Sequence, residues 1–267
     1  HHAKQNKKNL LLMSGSFAVC IVLFLCFSTL IDFMDHALTP LRPYTPDVSI
    51  VSKDNACSVP KDMVKELYGK EGIKRVFGRM FAYDIPAKVN GVEKKVMLIS
   101  YESYQMNWVD EERWASDRIG FEQVVKDTDE GYVLVSHNEQ NNIKDGDVIS
   151  TSLGDLTVAA TLYVCPFSGD EDTVVLVCSE ALFTKLTGET DYTIIDIQLS
   201  LGASEEDVEA IRAYAGQDYT FSDRRLDNRE AAGAYYSFVL FIYGFLAIIA
   251  MITVFNIMNS VSMSVSA

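Results

Sequence analysis

Ser237 to Ile257 reads SFVLFIYGFLAIIAMITVFNI, and this stretch decides how the rest of the chain is read. Thirteen of its 21 residues are Leu, Ile, Val or Phe. A helix of about 20 apolar residues spans the hydrocarbon core of a bilayer. At about −0.3 to −0.6 kcal/mol for each such residue, the run favours insertion by more than its few polar residues oppose. The surrounding Ala231–Ala267 contains no Asp, Glu, Lys or Arg, and Tyr235 and Tyr236 stand where interfacial aromatics belong. A buried helix of a large soluble protein is the competing reading. It is disfavoured by a second run of the same kind.

That second run is Leu10 to Ile31, LLLMSGSFAVCIVLFLCFSTLI, again uncharged and preceded by Lys4, Lys7 and Lys8. A cleaved signal peptide has a shorter apolar core and a small-x-small cleavage site. Here the run is longer, and Asp32-Phe33-Met34-Asp35 follows it, so it reads as a retained membrane helix. His1 and His2 read as the remnant of a tag.

Between the two runs lie the 205 residues Asp32–Tyr236, enough for one or two domains with hydrophobic cores. All 37 acidic residues fall there with 20 of the 23 basic ones, a net charge of −17 for the insert. Such a domain repels nucleic acid and anionic headgroups, which argues against both as partners. The N-terminal lysines favour a cytoplasmic start, while Arg42, Arg224, Arg225 and Arg229 flank the insert side, so the positive-inside rule does not decide the orientation. Cys20 and Cys26 lie in the first run, and Cys57, Cys165 and Cys178 in the insert. The insert therefore holds at most one internal disulfide, and no spacing suggests zinc.

Within the insert, Pro40, Pro43 and Pro46 stop the first helix and force extended chain. Asp47–Val51 is expected as a strand. Ser58, with Pro60 in the first turn, is expected to cap a helix carrying Met63, Val64, Leu67 and Tyr68. Arg75–Ile85 reads as one strand and Val96–Tyr101 as another, with Asn90-Gly91 the hairpin turn between them. Helical material around Trp108 and Trp114 then precedes short strands at Tyr132–Ser136, Asp147–Thr151 and Leu156–Val164. An α/β pattern returns with strand Thr173–Cys178, a helix capped by Ser179, strand Thr193–Leu199, and a helix opened by Ser204-Glu205-Glu206-Asp207. Tyr219–Ser222 closes this module, and Asp223–Glu230 reads as a short polar helix leading to the second run.

The start KKNLLLMSGSFAVCIVLFLCFS, the extended DVSIV and the strand GIKRVFGRMFAY together carry a resemblance. So do LSLGASEEDVEAIRAYAG and the Asn/Ser/Met-rich ending FLAIIAMITVFNIMNSVSMSVSA. From Lys7 onward the chain resembles FtsX-like permeases of the MacB type, the membrane subunits of a class of ABC transporters. The resemblance implies an α+β membrane protein in which two transmembrane helices flank a MacB-like periplasmic-core domain. It implies a cytoplasmic N-terminus at 1–9, a first span at 10–31, an extracytoplasmic domain at 32–236 and a second span at 237–257. Residues 258–267 would begin a cytoplasmic segment that is truncated. Within the domain, 47–101 and 173–222 would form a porter-like α/β part and 102–172 a β-rich insert. The three prolines leave room for only a short extension of the first span, which puts a long stalk in doubt. The partners implied are an ATP-binding cassette ATPase, further permease spans or a second permease copy. Coupling would run through Thr29–Leu38 and Asp223–Tyr236.

No G-x-x-x-x-G-K-[ST], H-E-x-x-H or G-x-S-x-G occurs, so catalytic, cofactor-binding and metal residues are all expected to be none. His36 and His137 read as surface histidines. Asp145-Gly146-Asp147 and Gly169-Asp170-Glu171-Asp172 read as acidic turns, since neither fits the twelve-residue calcium loop. Asn256, Asn259 and Gly15 between Ser14 and Ser16 read as helix-packing determinants. The expected function is a non-enzymatic permease subunit that converts a partner's ATP hydrolysis into motion of an outer domain. Export, extraction and signalling remain open, as do antimicrobial peptides, lipids and cell-wall hydrolases as their objects. The alternative is the sensor half of a two-span receptor or histidine kinase.

Overall fold

The computed structural model describes residues 2–37, 44–111, 126, 128–138, 140–163 and 165–265. These form two units, His1–Pro43 with Leu226–Ala267, and Tyr44–Arg225. Trp114 lies outside the described residues.

The first unit is a helix pair. Helix α1 (His2–Ala37) runs without a break through the first apolar stretch, and the last helix, α6 (Arg225–Val265), does so through the second. The stretches Ser14–Met34 and Arg225–Phe255 are long and apolar enough to cross a membrane. On α1 the positions less exposed than their neighbours include Ser16, Cys20, Leu23, Phe27, Ser28, Ile31 and Met34, and on α6 they include Ile242, Leu246, Ile249 and Thr253. Steps of three and four residues keep these positions on one face of each helix. Cys20 Sγ meets Thr253 Oγ1 at 3.1 Å between those faces, while Thr253 also donates to the Ile249 carbonyl. The remaining faces expose Leu, Ile, Val and Phe, as a lipid solvent allows. A Cβ placed on Gly15 would meet no atom within 4 Å, so Gly15 is not a point of close helix approach within this chain. Asn256 and Asn259 fall on α6, with their side chains outside the described set.

The second unit holds a four-stranded sheet and a closed six-stranded barrel. The sheet has the order β10-β1-β9-β2, from β1 (Val48–Val51), β2 (Ile73–Arg79), β9 (Ile194–Leu199) and β10 (Thr220–Asp223), all pairs antiparallel. Its apolar face carries Val48, Ile50, Val76, Ile195 and Ile197. Helices α2 (Asp62–Tyr68) and α5 (Glu205–Ala215) supply Leu67, Val208 and Ile211 to the same core. The box at the start of α5 is as the sequence suggests, with Ser204 and Asp207 each accepting from the other's backbone N–H. Ser58 does not cap α2. That helix starts at Asp62, and Ser58 Oγ pairs with Ser52 Oγ at 2.9 Å.

The barrel has the order β3-β4-β8-β5-β7-β6, from β3 (Phe81–Val89), β4 (Val92–Tyr101), β5 (Tyr132–Ser136), β6 (Val148–Thr151), β7 (Gly154–Leu162) and β8 (Thr173–Ser179). Alternate residues of each strand, including Val96, Leu98, Val133, Val135, Ile149, Leu156, Val158, Val174 and Leu176, are buried together with the sheet's core. Helix α3 (Ser103–Glu111) puts Met106 and Val109 into a second cluster with Ile99, Leu134, Leu162 and Val177. Helix α4 (Glu180–Thr187) follows β8 directly, capped by Ser179 and ended by Gly188 in the left-handed region.

The division between sheet and barrel differs from the expected one. Arg75–Ile85 is two strands in two different sheets, broken at Met80. There the Met80 N–H donates to Ser100 Oγ and its carbonyl accepts from the Ser100 N–H. Backbone pairing passes from β9 on one side of Met80 to β4 on the other. Strand β4 then pairs in parallel with β8 over Lys95–Tyr101 and Thr173–Ser179. Strands β3, β4 and β8, which lie outside the expected insert at 102–172, are thus barrel strands together with β5, β6 and β7, and the chain leaves the sheet at Met80 and returns before β9.

Candidate coupling junction

The two sheet strands nearest in sequence to the apolar helices are β1 and β10. They are hydrogen-bonded neighbours, with Val48 opposite Asp223 and Ser49 opposite Ser222. Just before β1, Asp47 accepts at its carbonyl from the Arg224 N–H at 2.9 Å. Its own N–H donates to the Ile197 carbonyl at 2.9 Å. Its carboxylate accepts from the Leu199 N–H at 2.8 Å. One residue therefore ties the start of β1 to both flanking strands.

On the β10 side, a single guanidinium does comparable work. Arg225 donates through Nε and Nη2 to Asp223, with the closest contact 2.7 Å, and through Nη1 and Nη2 to the two Glu205 oxygens at 2.8 and 2.9 Å. Charge-assisted, two-pronged pairs of this kind fix orientation as well as distance. The hydrogen bonds from Arg225 hold the Asp223 carboxyl below its ordinary value, and Asp223 with Glu205 pushes the guanidinium up. Glu205 sits in the first turn of α5, where its charge also suits the helix dipole. Asp223 in addition accepts from the Arg225 N–H, closing the turn into α6. The short polar helix read at Asp223–Glu230 begins at Arg225 and runs unbroken into the apolar stretch as α6, with its first residue pinned.

The second polar group of the site lies on the opposite face of the sheet from the apolar core. Ser49, Asp196 and Phe77 stand in one row across β1, β9 and β2, with Arg79 and Arg75 on the same face. Arg79 Nη2 reaches Asp196 Oδ2 at 2.9 Å, both side chains only about 5% exposed. Ser49 donates to the other Asp196 oxygen at 2.6 Å, and the Arg79 guanidinium lies over the Phe167 ring at 4.9 Å. Arg79 immediately precedes Met80, so this buried ion pair sits where chain passes from sheet to barrel. Thr193 marks the other crossing: its N–H donates to the Arg79 carbonyl and its hydroxyl accepts from the Phe81 N–H.

Two solved structures from comparison with known proteins are similar to the chain. One is the extracellular domain of the noncanonic ABC-type transporter YknZ from Gram-positive bacteria, 14% identical with a TM-score of 0.45, covering 66% of this chain and 97% of that one. The other is the periplasmic region of MacB from Actinobacillus actinomycetemcomitans, 10% identical with a TM-score of 0.47, covering 72% and 97%. No family model and no curated protein matches the sequence.

The other residues singled out from sequence are dispersed. His137 is exposed, its ring 5.2 Å from that of Tyr163. Asp145 accepts from Thr161 at 3.1 Å and Asp147 from the Lys144 N–H at 2.8 Å, so both carboxylates are turn acceptors. Asp170 likewise closes its own turn through the Asp172 N–H. All five cysteines are free, and burial raises the thiols of Cys57, Cys165 and Cys178. Neither Asp196 nor the Arg225–Glu205 pair was flagged in the sequence. For Asp196 a signal existed, a charge in the middle of the apolar strand TIIDIQL.

Proposed function

We propose that this chain belongs to the permease of an ABC transporter, and that Tyr44–Arg225 is its extracytoplasmic working part. The carrying observation is that β1 and β10, the strands joined in sequence to the two apolar helices, are adjacent in one sheet and locked by Asp47, Asp223 and Arg225. A change in the helix pair would be delivered to neighbouring strands of a single rigid element. The sequence resemblance to FtsX-like permeases supports the same reading.

In this account the chain is not an enzyme. An ATP-binding cassette partner binds and hydrolyses ATP, and further spans or a second permease copy complete the membrane part. Nucleotide biases a conformational equilibrium, and the outer domain reports that bias as export, extraction or a signal. A ligand shifts such an equilibrium only by its difference in affinity for the two states, so stiff links are required between helix and sheet.

The test is joint purification and topology. Full-length protein co-expressed with its ATP-binding cassette partner should retain that ATPase through purification. A cysteine at exposed Glu209, in a background without the native cysteines, should react with an impermeant thiol reagent in intact cells. Cys57 and Cys165 suit this less well, being partly covered with raised thiols. Failure to retain the ATPase, or labelling only after lysis, would contradict the reading.

A further inference from the structure

Strands β4 and β8 are parallel and end in register, Tyr101 opposite Ser179. The next residue of each is a glutamate. Glu102 and Glu180 thus emerge side by side at the carboxyl ends of adjacent strands, where α3 and α4 begin. Their surroundings differ. The Glu180 oxygens accept from Tyr192 Oη at 2.7 Å and from Lys61 Nζ at 2.9 Å, both groups reaching in from outside the barrel. The half-buried Glu102 carboxylate has no hydrogen-bond or ion-pair partner among the described residues. On its own helix, Gln105 is turned to the backbone, accepting from the Glu102 N–H at 3.1 Å.

The cations facing Glu102 from β2 are already engaged. Arg79 is paired with Asp196. Arg75 donates to Gln198 at 3.3 Å and lies over the Tyr104 ring at 4.0 Å and the Trp108 ring at 5.6 Å. The aromatic residues Tyr104 and Trp108 belong to α3, which starts one residue after Glu102, so α3 is stacked on the sheet strand β2 through Arg75. We propose that Glu102 is a proton-operated latch between sheet and barrel: neutral, it lets α3 rest on β2 beside α4, and ionised, its charge next to Glu180 loosens that contact.

The titration falls in a useful range. Burial, then the Glu180 charge, raise the Glu102 carboxyl to about 7, against the opposing pull of Arg75 and Arg79. A carboxyl whose folded value is raised holds its proton in the folded state at pH values where the unfolded chain has lost it. Stability from this group is therefore full below the ordinary glutamate range and is lost as pH rises to about 7. The latch would read the pH of whichever compartment bathes this unit, independently of the transporter assignment.

The test uses the full chain in lipid nanodiscs with Trp114→Phe, which leaves Trp108 as the one tryptophan of the two in the sequence. Trp108 emission, followed from pH 5 to 9, should change with a midpoint near 7. Glu102→Gln, which imitates the neutral acid, should abolish the transition, and Glu180→Gln should move it to lower pH. Amide exchange at Met80 and Thr193, corrected for its intrinsic pH dependence, should quicken above the midpoint in the parent but not in Glu102→Gln. A transition that survives in Glu102→Gln overturns the proposal. So does a flat parent titration, or a Glu102→Gln chain less stable than the parent at pH 8.

Discussion

Arg225 and Glu205 face each other fork to fork, Nη1 on Oε1 and Nη2 on Oε2 at 2.8 and 2.9 Å, although twenty residues separate them in sequence. The contact joins the first residue of the long helix α6 to the first turn of α5. Its two ends are unequally placed. Arg225 is largely covered, while the Glu205 side chain is 76% exposed. Glu205→Gln should therefore cost stability by no more than about 1 kcal/mol, the usual range for a solvated pair. Loss of the guanidinium in Arg225→Met should cost more, because Asp223 is then left without its main donor. The Asp223 carboxyl is held low by Arg225, so its contribution is present at neutral pH and disappears on acidification through its lowered value. Melting of parent and Arg225→Met from pH 7 downward should show the gap closing in acid.

A fragment spanning Tyr44–Arg225 should melt cooperatively, since both β units share one buried core. Trimming it to residues 47–222 removes Asp223, Arg225 and the buried Tyr44, whose ring lies 5.2 Å from Trp108. The shorter fragment should melt several degrees lower. Equal melting temperatures would show that the pinned ends contribute nothing to the fold.

The buried Arg79–Asp196 pair makes a sharper prediction. Arg79→Met leaves Asp196 deeply buried with Ser49 as its remaining side-chain donor among the described residues. Breaking one side of such a pair costs about 3–5 kcal/mol. Replacing both, Arg79→Met with Asp196→Leu, should recover most of that loss. Urea titration of the Tyr44–Arg225 fragment would measure it, and a double variant as weak as the single one would contradict the assignment.

Gly78 leaves room for a ring. A Cβ there would overlap the Tyr192 ring, and Tyr192 is the residue whose hydroxyl holds Glu180. Gly78→Ala should cost about 1–3 kcal/mol by overpacking. Tyr192→Phe removes only a hydrogen bond and should cost nearer 1 kcal/mol. Combining Gly78→Ala with Tyr192→Ala should be less than additive, because the smaller side chain removes the clash.

What the sequence disclosed follows from the range of the interactions involved. Apolar runs of more than 20 residues marked both long helices. Asn90-Gly91 marked the β3–β4 hairpin, where both residues take positive φ, and Ser204-x-x-Asp207 marked the start of α5. Each is a local signal. The break at Met80 was not legible, because the strand pattern continues unchanged while the pairing partner changes. Barrel closure was hidden for a related reason: β3 and β6 meet only at Ala87–Thr151 and Lys88–Ser150, far apart in sequence. Asp223–Glu230 read as a short polar helix, but Arg225 has in Glu205 a partner that only the folded β–α–β arrangement supplies. Glu102 and Glu180 become neighbours solely through the parallel register of β4 and β8.

On the proposed function, α6 carries displacement into the sheet through its pinned first turn. Inserting two glycines after Asp227 lowers helix stability by about 2 kcal/mol and places a slack joint just beyond Arg225. The decisive measurement is ATP hydrolysis and transport-linked output, taken side by side in the full-length permease with its ATPase, at matched membrane levels. The variant should keep its ATPase and much of its hydrolysis but lose output. Undiminished output from the glycine variant would contradict this, and α6 would then be a tether.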